Sequence, residues 1–275
     1  MANYTAADIK ALREQTGAGM MDVKKALDET DGDRTKAIEA LRIKGLKGVT
    51  KREGRSASSG LVTAKVENGV GTLLEVNCET DFVAKNPTFI ELADRIRDHA
   101  ASVGAGDAET LLASELDGKT VKEVLDEANA GLGEKIEVRR MARLEGEKVE
   151  AYLHKTDPDV PPQIGVLVAA NGGEGTVVRD IAMHVAAFAP TVLSRDEIDA
   201  ETVENERRVA EATAKEEGKP EQALPKIIEG RVNSYFKDNV LLDQPFAKDP
   251  KKSVAAVAQE SGATVTGFAR LKVGV

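Results

Sequence analysis

Near the N-terminus, apolar residues recur at the three- and four-residue spacing of amphipathic helices, and this pattern predicts three short helices. Thr5 and Asp8 have the spacing of a capping box, so the first helix should begin beside them. A second helix is expected over Met20–Glu29, and a third should follow Asp33, which is its predicted cap. Residues 1–45 are therefore predicted to form a compact helical module with a small core.

The second helix and the turn before it suggest what kind of module this is. The apolar positions of the helix are Met21, Val23, Ala26 and Leu27. The order of the three helices, with a Gly-x-Gly-Met turn after the first, resembles ubiquitin-associated domains, which are binding modules.

Residues 46–60 are rich in Gly, Ser and basic side chains, and they hold little that a core could bury. We therefore predict a basic linker here. An arm that binds nucleic acid is the alternative, but charge runs of this kind are more often solvated linkers.

Beyond residue 60 the apolar residues follow the spacing of strands, and the pattern occurs twice. Each copy opens with two strand-like segments of matching spacing, which predict a hairpin. The paired segments are 61–66 with 71–77 in the first copy and 149–153 with 165–171 in the second.

The same series of elements follows each predicted hairpin. A helix carries the pattern Ile-x-x-His in both copies, at Ile96–His99 and Ile181–His184, and a second helix and a last strand come after it. We predict an α+β fold in which two copies, residues 61–146 and 147–275, each form a small antiparallel sheet covered by helices on one side.

The two copies differ in length just after the hairpin. Asn77 and Ile96 are 19 positions apart in the first copy, whereas Asn171 and Ile181 are 10 apart in the second. The nine extra residues are predicted to lie between strand and helix, and they include Phe82 in a chain with few aromatic residues. Since loops on a rigid scaffold gather binding groups, Phe82 is either an exposed anchor for a partner or a core residue.

A charged insertion interrupts the second copy over residues 198–240. Apolar residues recur there at helical spacing on both sides of the turn Gly218–Pro220, which predicts an antiparallel, coiled-coil helical hairpin. Its apolar seam, to which Val203, Val209 and Ala212 are assigned, is thin. The hairpin is either a solvated spacer or a surface that contacts another protein, and both alternatives stay open.

Composition restricts the class of protein further. The chain has 275 residues, of which 47 are acidic and 38 basic, and this net charge of −9 argues against binding along a phosphate backbone. Its one cysteine, Cys78, suits a reducing compartment. We find neither a signal peptide nor an apolar run of about 20 residues, so a soluble, cytoplasmic protein with no membrane partner is expected.

Few residues point to bond chemistry. The glycine-rich segment 170–175 could receive a phosphate at a helix N-terminus, but it lacks a following Gly-Lys-Ser/Thr, so a plain turn is favoured. His99, His154 and His184 are scattered, with no Cys or carboxylate at ligand spacing, and Cys78 reads as a core residue. We expect that the chain binds no metal or cofactor and has no enzymatic activity. A nucleotide-binding enzyme and a pure adaptor stay open as alternatives.

Several ungapped blocks along nearly the whole chain resemble the bacterial elongation factor Ts family. The blocks are TGAGMMDVKKAL at 16–27, EVNCETDFVAKN at 75–86, IGVLVAANGG at 164–173, IAMHVAAFAP at 181–190 and QPFAKDP at 244–250. This family is the guanine-nucleotide exchange factor of the GTPase elongation factor Tu. The resemblance implies that the chain binds the GDP-bound GTPase, disturbs its magnesium and phosphate site, and promotes GDP release in translation elongation.

The resemblance also implies which residues meet the partner. The element that dislodges the partner's magnesium falls on Thr80, Asp81, Phe82 and Val83. Further contact positions of the family fall on Met20, Lys24, Leu132, Gly133 and His154. The segment 155–163, after His154, is longer than expected for the family. A homodimer within a two-plus-two complex is also compatible with the resemblance, and no direct contact with nucleic acid is expected.

Overall fold

The computed structural model describes residues 3–16, 18–52 and 54–274, with only the backbone described over 46–51. Gly17, in the predicted first turn, lies outside the described residues. The helices are α1 (Ala6–Thr16), α2 (Met20–Glu29), α3 (Arg34–Arg52), α4 (Asp81–Ala84), α5 (Pro87–Val103), α6 (Ala108–Ala113), α7 (Val121–Leu132), α8 (Val177–Phe188), α9 (Ala200–Glu216), α10 (Leu224–Asn239) and α11 (Val254–Glu260). The strands are β1 (Ser59–Glu67), β2 (Val70–Cys78), β3 (Glu115–Leu116), β4 (Lys119–Thr120), β5 (Glu137–Glu145), β6 (Lys148–His154), β7 (Ile164–Gly172), β8 (Pro245–Phe246), β9 (Asp249–Ser253) and β10 (Ala263–Lys272).

The first and third helices begin beside their predicted caps. The Asp8 amide donates to Thr5 Oγ1 at 3.2 Å, and the Thr5 amide donates to Asp8 Oδ2 at 2.8 Å, which completes the capping box of α1. Asp33 caps α3 by accepting the Lys36 amide at 3.1 Å. Leu12, Val23, Ala26, Leu27, Ala37 and Leu41 form the core of this bundle. Its likeness to ubiquitin-associated domains stays a prediction.

The structure corrects two predictions in this part of the chain. Met21 was assigned to the apolar face of α2, but its side chain is 75% exposed. The predicted linker begins as helix, because α3 continues to Arg52. Tertiary contacts with α7 explain this extension: a Cβ on Gly45 would collide with that of Ala130, and Arg52 Nη1 donates to the Asn129 carbonyl at 3.0 Å.

Both predicted hairpins are confirmed. β1 pairs antiparallel with β2, and β6 pairs antiparallel with β7. The first hairpin turns at Asn68 and Gly69, whose φ angles of 51° and 76° are those of a type I′ turn. Each hairpin gains a third strand from the end of its copy, which gives the sheet orders β1-β2-β5 and β10-β7-β6. The α+β fold class is therefore confirmed, and the domain boundaries stay predictions.

Helices cover one face of each sheet, and the two other faces pack on each other. α5, α6 and α7 share an apolar core with the first sheet, and α8 and α11 share one with the second. A third core of residues from both sheets includes Val62, Leu73, Val149 and Leu167. The matched glycines Gly71 and Gly165 allow this close approach, since a Cβ on Gly71 would lie 2.8 Å from Val149 Cγ1.

The matched histidines confirm that the copies correspond in three dimensions. His99 Nε2 lies 2.8 Å from Ser114 Oγ, and His184 Nε2 lies 2.8 Å from Gln244 Oε1. The carbonyl of each partner residue accepts the first amide of the next helix at 3.0 Å, from Val121 in one copy and from Val254 in the other. The repeat therefore extends to individual hydrogen bonds.

The extra residues of the first copy are divided between a loop and a helix, which corrects the prediction that all nine precede the helix. Residues 79–86 separate strand from helix in the first copy, and residues 173–176 do so in the second. This connection, which contains α4, is thus four residues longer in the first copy than in the second. The other five extend the helix, since Ile96 is the tenth residue of α5 and Ile181 is the fifth of α8.

The insertion in the second copy is a helical hairpin of α9 and α10, as predicted, and its seam differs from the predicted one. Ala210 and Ala214 are buried, whereas Val209 and Ala212 face solvent. Small residues in the seam allow α10 to lie close to α9, and Arg231 Nη2 donates to the Glu217 carboxylate at 2.8 Å across the turn. Charged side chains dominate the outer surface of this hairpin.

Candidate protein-binding site

Phe82 lies on α4, a four-residue helix directly after β2, and its side chain is 83% exposed. The two residues after it face inward: Ala84 is buried, and Val83 is half-buried and packs against the core of the first sheet. An aromatic side chain gains nothing from such exposure in the isolated chain, since burial is what makes a large ring stabilising. Of the two alternatives for Phe82, the structure contradicts the core residue and favours the exposed anchor.

Thr80 holds the beginning of α4. Its hydroxyl accepts the Val83 amide at 3.4 Å, which is a long N-cap contact. A stronger contact comes from Glu134, whose Oε1 accepts the Thr80 hydroxyl at 2.6 Å and whose Oε2 accepts the Thr80 amide at 3.0 Å. The same Oε2 accepts the Glu79 amide at 3.1 Å. The turn that presents Phe82 is thus tied to a distant part of the chain.

The end of α4 is fixed by the beginning of α5. The Asn86 side chain accepts the Thr88 amide at 2.9 Å, and Pro87 occupies the first turn of the helix. Asp81 points to solvent and pairs with Lys85 at 3.1 Å. Such an exposed pair contributes at most about 1 kcal/mol, so Asp81 is available to another protein.

The structure brings Leu132 and Gly133 to the Phe82 turn. Gly133 ends α7 in the left-handed conformation, with φ of 79°, and Glu134 follows it directly. Because Glu134 binds Thr80, the loop after α7 and the turn at α4 lie side by side. Sequence reasoning missed Glu134, and its position next to a predicted contact residue was the one available signal.

Cys78 lies buried at the end of β2, next to this site. Its Sγ donates to the Thr80 carbonyl at 3.2 Å. Burial raises the pKa of the Cys78 thiol to about 12, and the nearby Glu134 carboxylate adds to this effect. The thiol is therefore protonated near neutral pH, which fits the predicted core residue and not a nucleophile.

Met20 and Lys24 lie on the exposed face of α2, away from the Phe82 turn along the chain. The Met20 side chain is 58% exposed, and Met21 beside it is also exposed. Such a patch of flexible apolar side chains suits contact with another protein. Contacts between α3 and α7 join this module to the first copy of the repeat. One of them is the ion pair between Arg42 on α3 and Glu127 on α7, at 2.6 Å.

His154 ends β6 and lies on the second sheet. Its Nδ1 is 3.1 Å from the Tyr152 hydroxyl, and both residues line a cleft together with Met183, Lys248 and Arg270. The long segment 155–163 leaves the strand register intact, because the Gln163 amide donates to the His154 carbonyl at 3.0 Å. The structure therefore keeps His154 apart from the Phe82 turn, on the other copy.

The glycine-rich segment 170–175 comprises the end of β7 and the turn after it, and two of its amides are occupied. The Gly172 amide donates to Glu147 Oε2 at 3.0 Å, and the Glu174 amide donates to the Ser261 carbonyl at 3.0 Å. A phosphate cradle needs several free amides at one point, so this arrangement favours the plain turn over a nucleotide site.

The described residues offer neither a cluster of metal ligands nor a membrane-spanning helix. Within residues 3–16, 18–52 and 54–274, no three His, Cys, Asp or Glu side chains are grouped so that they could hold a metal ion. In that same part of the chain, no helix has the length and apolar character that crossing a membrane requires.

The environment of His184 indicates how the stability of the fold depends on pH. It is buried, its Nδ1 accepts the Ala247 amide at 3.2 Å, and its Nε2 contacts Gln244 at 2.8 Å, which requires the neutral ring. Burial lowers the pKa of His184 below its ordinary value, outweighing the contact with Gln244. The unfolded chain therefore binds a proton at a higher pH than the folded chain does.

The free energy of unfolding should accordingly be highest above about pH 6.5 and fall as the pH drops below it, by up to about 1.4 kcal/mol per pH unit from this group. Urea titrations at about pH 7.5 and about pH 5.5 measure the change. A His184→Asn variant is the control, and its stability should fall less over the same interval. Equal losses in the two proteins would contradict the assignment to His184.

Comparisons with known proteins identify the family to which this chain is similar. A model of the family described as Elongation factor TS matches residues 79–275. Elongation factor Ts of Micrococcus luteus is 62% identical to this chain, and those of Pseudarthrobacter chlorophenolicus and Arthrobacter sp. are 61% and 63% identical. All of this chain and all of each relative are covered by these alignments. Because the family match spans most of the chain and the three relatives match it in full, this chain belongs to the elongation factor Ts family.

Proposed function

We propose that the chain releases GDP from elongation factor Tu by inserting Phe82 beside the partner's magnesium and phosphate site. Membership of the elongation factor Ts family gives the chain its role in translation elongation, as a nucleotide exchange factor of that GTPase. The observation that carries the insertion is the ring of Phe82, 83% exposed on a turn held by Glu134 and by the core.

The physical basis is linkage between two binding events. A GTPase holds GDP through backbone amides and through a magnesium ion that bridges the phosphates and protein ligands. A factor that binds best to a form of the GTPase in which this site is distorted weakens GDP by the same free energy. An apolar ring pushed between elements of the partner produces such a distortion, and Asp81 perturbs the polar groups around it.

The other contact residues supply binding free energy away from the nucleotide. Met20 and Lys24 on α2 are exposed, and α2 belongs to a module docked on α7. Leu132 and Gly133 lie beside the Phe82 turn, and His154 lies on the second sheet. Contacts at separated places fix the orientation of the partner, so that the ring of Phe82 is driven into one site.

This function involves no bond chemistry by the chain itself. We expect the chain to act in the cytoplasm, with no nucleic acid or membrane as a direct partner. Pairing within a two-plus-two complex stays a prediction.

Release of a fluorescent GDP from elongation factor Tu tests the proposal. Catalytic amounts of the purified chain should accelerate release by about a hundredfold in the presence of magnesium, because a coupling of roughly 3 kcal/mol that is expressed as faster dissociation of GDP corresponds to about that factor. Titrating the chain alone with GDP, ATP and magnesium is the control, and no tight binding is expected.

The outcomes separate the candidate functions. Tight nucleotide binding by the chain alone, without accelerated release, would favour a nucleotide-binding enzyme. Binding to elongation factor Tu with no change in release would instead favour an adaptor.

A further inference from the structure

The helix that presents Phe82 is too short to persist by itself. α4 has four residues, and isolated helices below about 12 residues are marginal in water. Its own N-cap contact, from the Val83 amide to Thr80 Oγ1, is long at 3.4 Å. The orientation of Phe82 must therefore come from contacts with the rest of the fold.

Glu134 provides the contacts that the short helix lacks. Its carboxylate accepts three hydrogen bonds at the beginning of α4, one from the Glu79 amide and two from Thr80, at 3.1, 3.0 and 2.6 Å. Glu123 does the same for its own helix α7, where its Oε2 accepts the Thr120 amide at 2.8 Å and the Thr120 hydroxyl at 3.0 Å. Glu134 thus resembles the carboxylate of a capping box, but it reaches α4 from 54 residues away.

The loop that carries Glu134 is itself rigidly held. The Asn129 side chain accepts the Ile136 amide and donates to the Ile136 carbonyl at 3.2 Å, which closes the loop after α7. Glu79 returns the contact from the other side, since its Oε1 accepts the Lys135 amide at 2.7 Å. The two segments therefore clamp each other through reciprocal carboxylate–amide contacts.

We propose that Glu134 is a positioning residue, which holds the Phe82 turn in one orientation before the partner arrives. This inference rests on the proposed function, because Phe82 must be the group that enters the partner. Ordering the turn in the free chain removes an entropic cost that would otherwise fall on the encounter complex. A misplaced ring would still allow the chain to bind through its other contacts, but it would distort the nucleotide site less often.

Removal of the carboxylate in Glu134→Ala tests this role. The maximal rate of GDP release should fall about tenfold, since charge-assisted contacts at one turn are lost. The concentration of the chain that gives half-maximal release should change less than about twofold, because the remaining contacts with the partner persist. Glu123→Ala is the matched control: it removes the equivalent carboxylate from the far end of α7 and should leave both quantities close to the original.

Amide hydrogen exchange supplies a readout of position without the partner. The Ala84 and Lys85 amides donate to the carbonyls of Thr80 and Asp81 at 3.1 and 3.0 Å, so they report whether α4 is formed. Both should exchange at least about tenfold faster in Glu134→Ala and at the original rate in Glu123→Ala. Glu134→Gln, which keeps one acceptor oxygen, should fall between the original chain and the alanine variant in both assays.

The results distinguish this inference from the function on which it rests. Slow release with Phe82→Ala but normal release with Glu134→Ala would overturn the positioning role alone. Unchanged amide exchange in Glu134→Ala would overturn it as well. Normal release with both variants would overturn the insertion of Phe82 together with the positioning role.

Discussion

Replacing Phe82 with alanine should slow the stimulated release of GDP from elongation factor Tu by about tenfold or more. Truncating an aromatic anchor at the centre of an interface costs about 2–4 kcal/mol, and about 1.4 kcal/mol corresponds to a factor of ten. The chain should stay folded, because Phe82 is the most exposed of its large apolar side chains over the described ranges. Stopped-flow fluorescence of labelled GDP measures the rate.

Val103→Ala is a suitable control for this experiment. Val103 is also apolar and 49% exposed, and it ends α5 in the same copy of the repeat, but it belongs to no predicted contact. Its replacement should leave the release rate unchanged. Equal unfolding curves for both variants would show that stability is not the cause, since exposed substitutions change stability by at most about 0.5 kcal/mol. A normal release rate with Phe82→Ala would exclude the insertion of the ring.

Replacing Arg140 with methionine should destabilise the fold by about 3 kcal/mol. Glu75 has no exposed surface, and Arg140 Nε donates to its Oε2 at 2.7 Å between the two packed sheets. Arg140 Nη2 also donates to the Lys272 carbonyl of β10 at 2.7 Å, so the side chain links both sheets. The variant leaves a buried carboxylate without its cation, which is costly because charges are poorly solvated inside a protein. Urea unfolding followed by circular dichroism measures the loss.

A double variant shows whether the loss of stability comes from the missing Arg140 side chain or from the buried charge that remains on Glu75. If Glu75→Met is combined with Arg140→Met, no buried charge remains, and most of the stability should return. GDP release by the double variant should be normal, because neither residue lies at the Phe82 turn. A double variant that is as unstable as Arg140→Met would show that packing, and not charge burial, is what Arg140 contributes.

Local patterns predicted most of the secondary structure, and their failures share one cause. The hairpins and the second helix of the module were predicted correctly, because spacing, caps and turn residues act within a few positions. α3 was predicted too short, since contacts with α7, and not its own composition, carry it to Arg52. The seam of α9 was misplaced to Val209 and Ala212 because charged helices with few apolar residues have a weak periodicity.

The candidate site was predicted in part. The comparison of the two copies pointed to Phe82, because the second copy lacks a matching segment. The family resemblance supplied the other contact residues, which periodicity could not. Glu134 was missed because its role depends on Thr80, and nothing in the local pattern around Glu134 indicates that the two meet.

By itself, the sequence determined the α+β class, the duplication and the elongation factor Ts family, since these are recorded in short-range spacing and in ungapped blocks. Only the tertiary structure decided that the two sheets pack face to face through Gly71 and Gly165, and that Phe82 points to solvent. It alone placed Glu134 against the beginning of α4. Burial and hydrogen bonding between residues far apart in the chain depend on which elements pack together, and no local pattern contains that information.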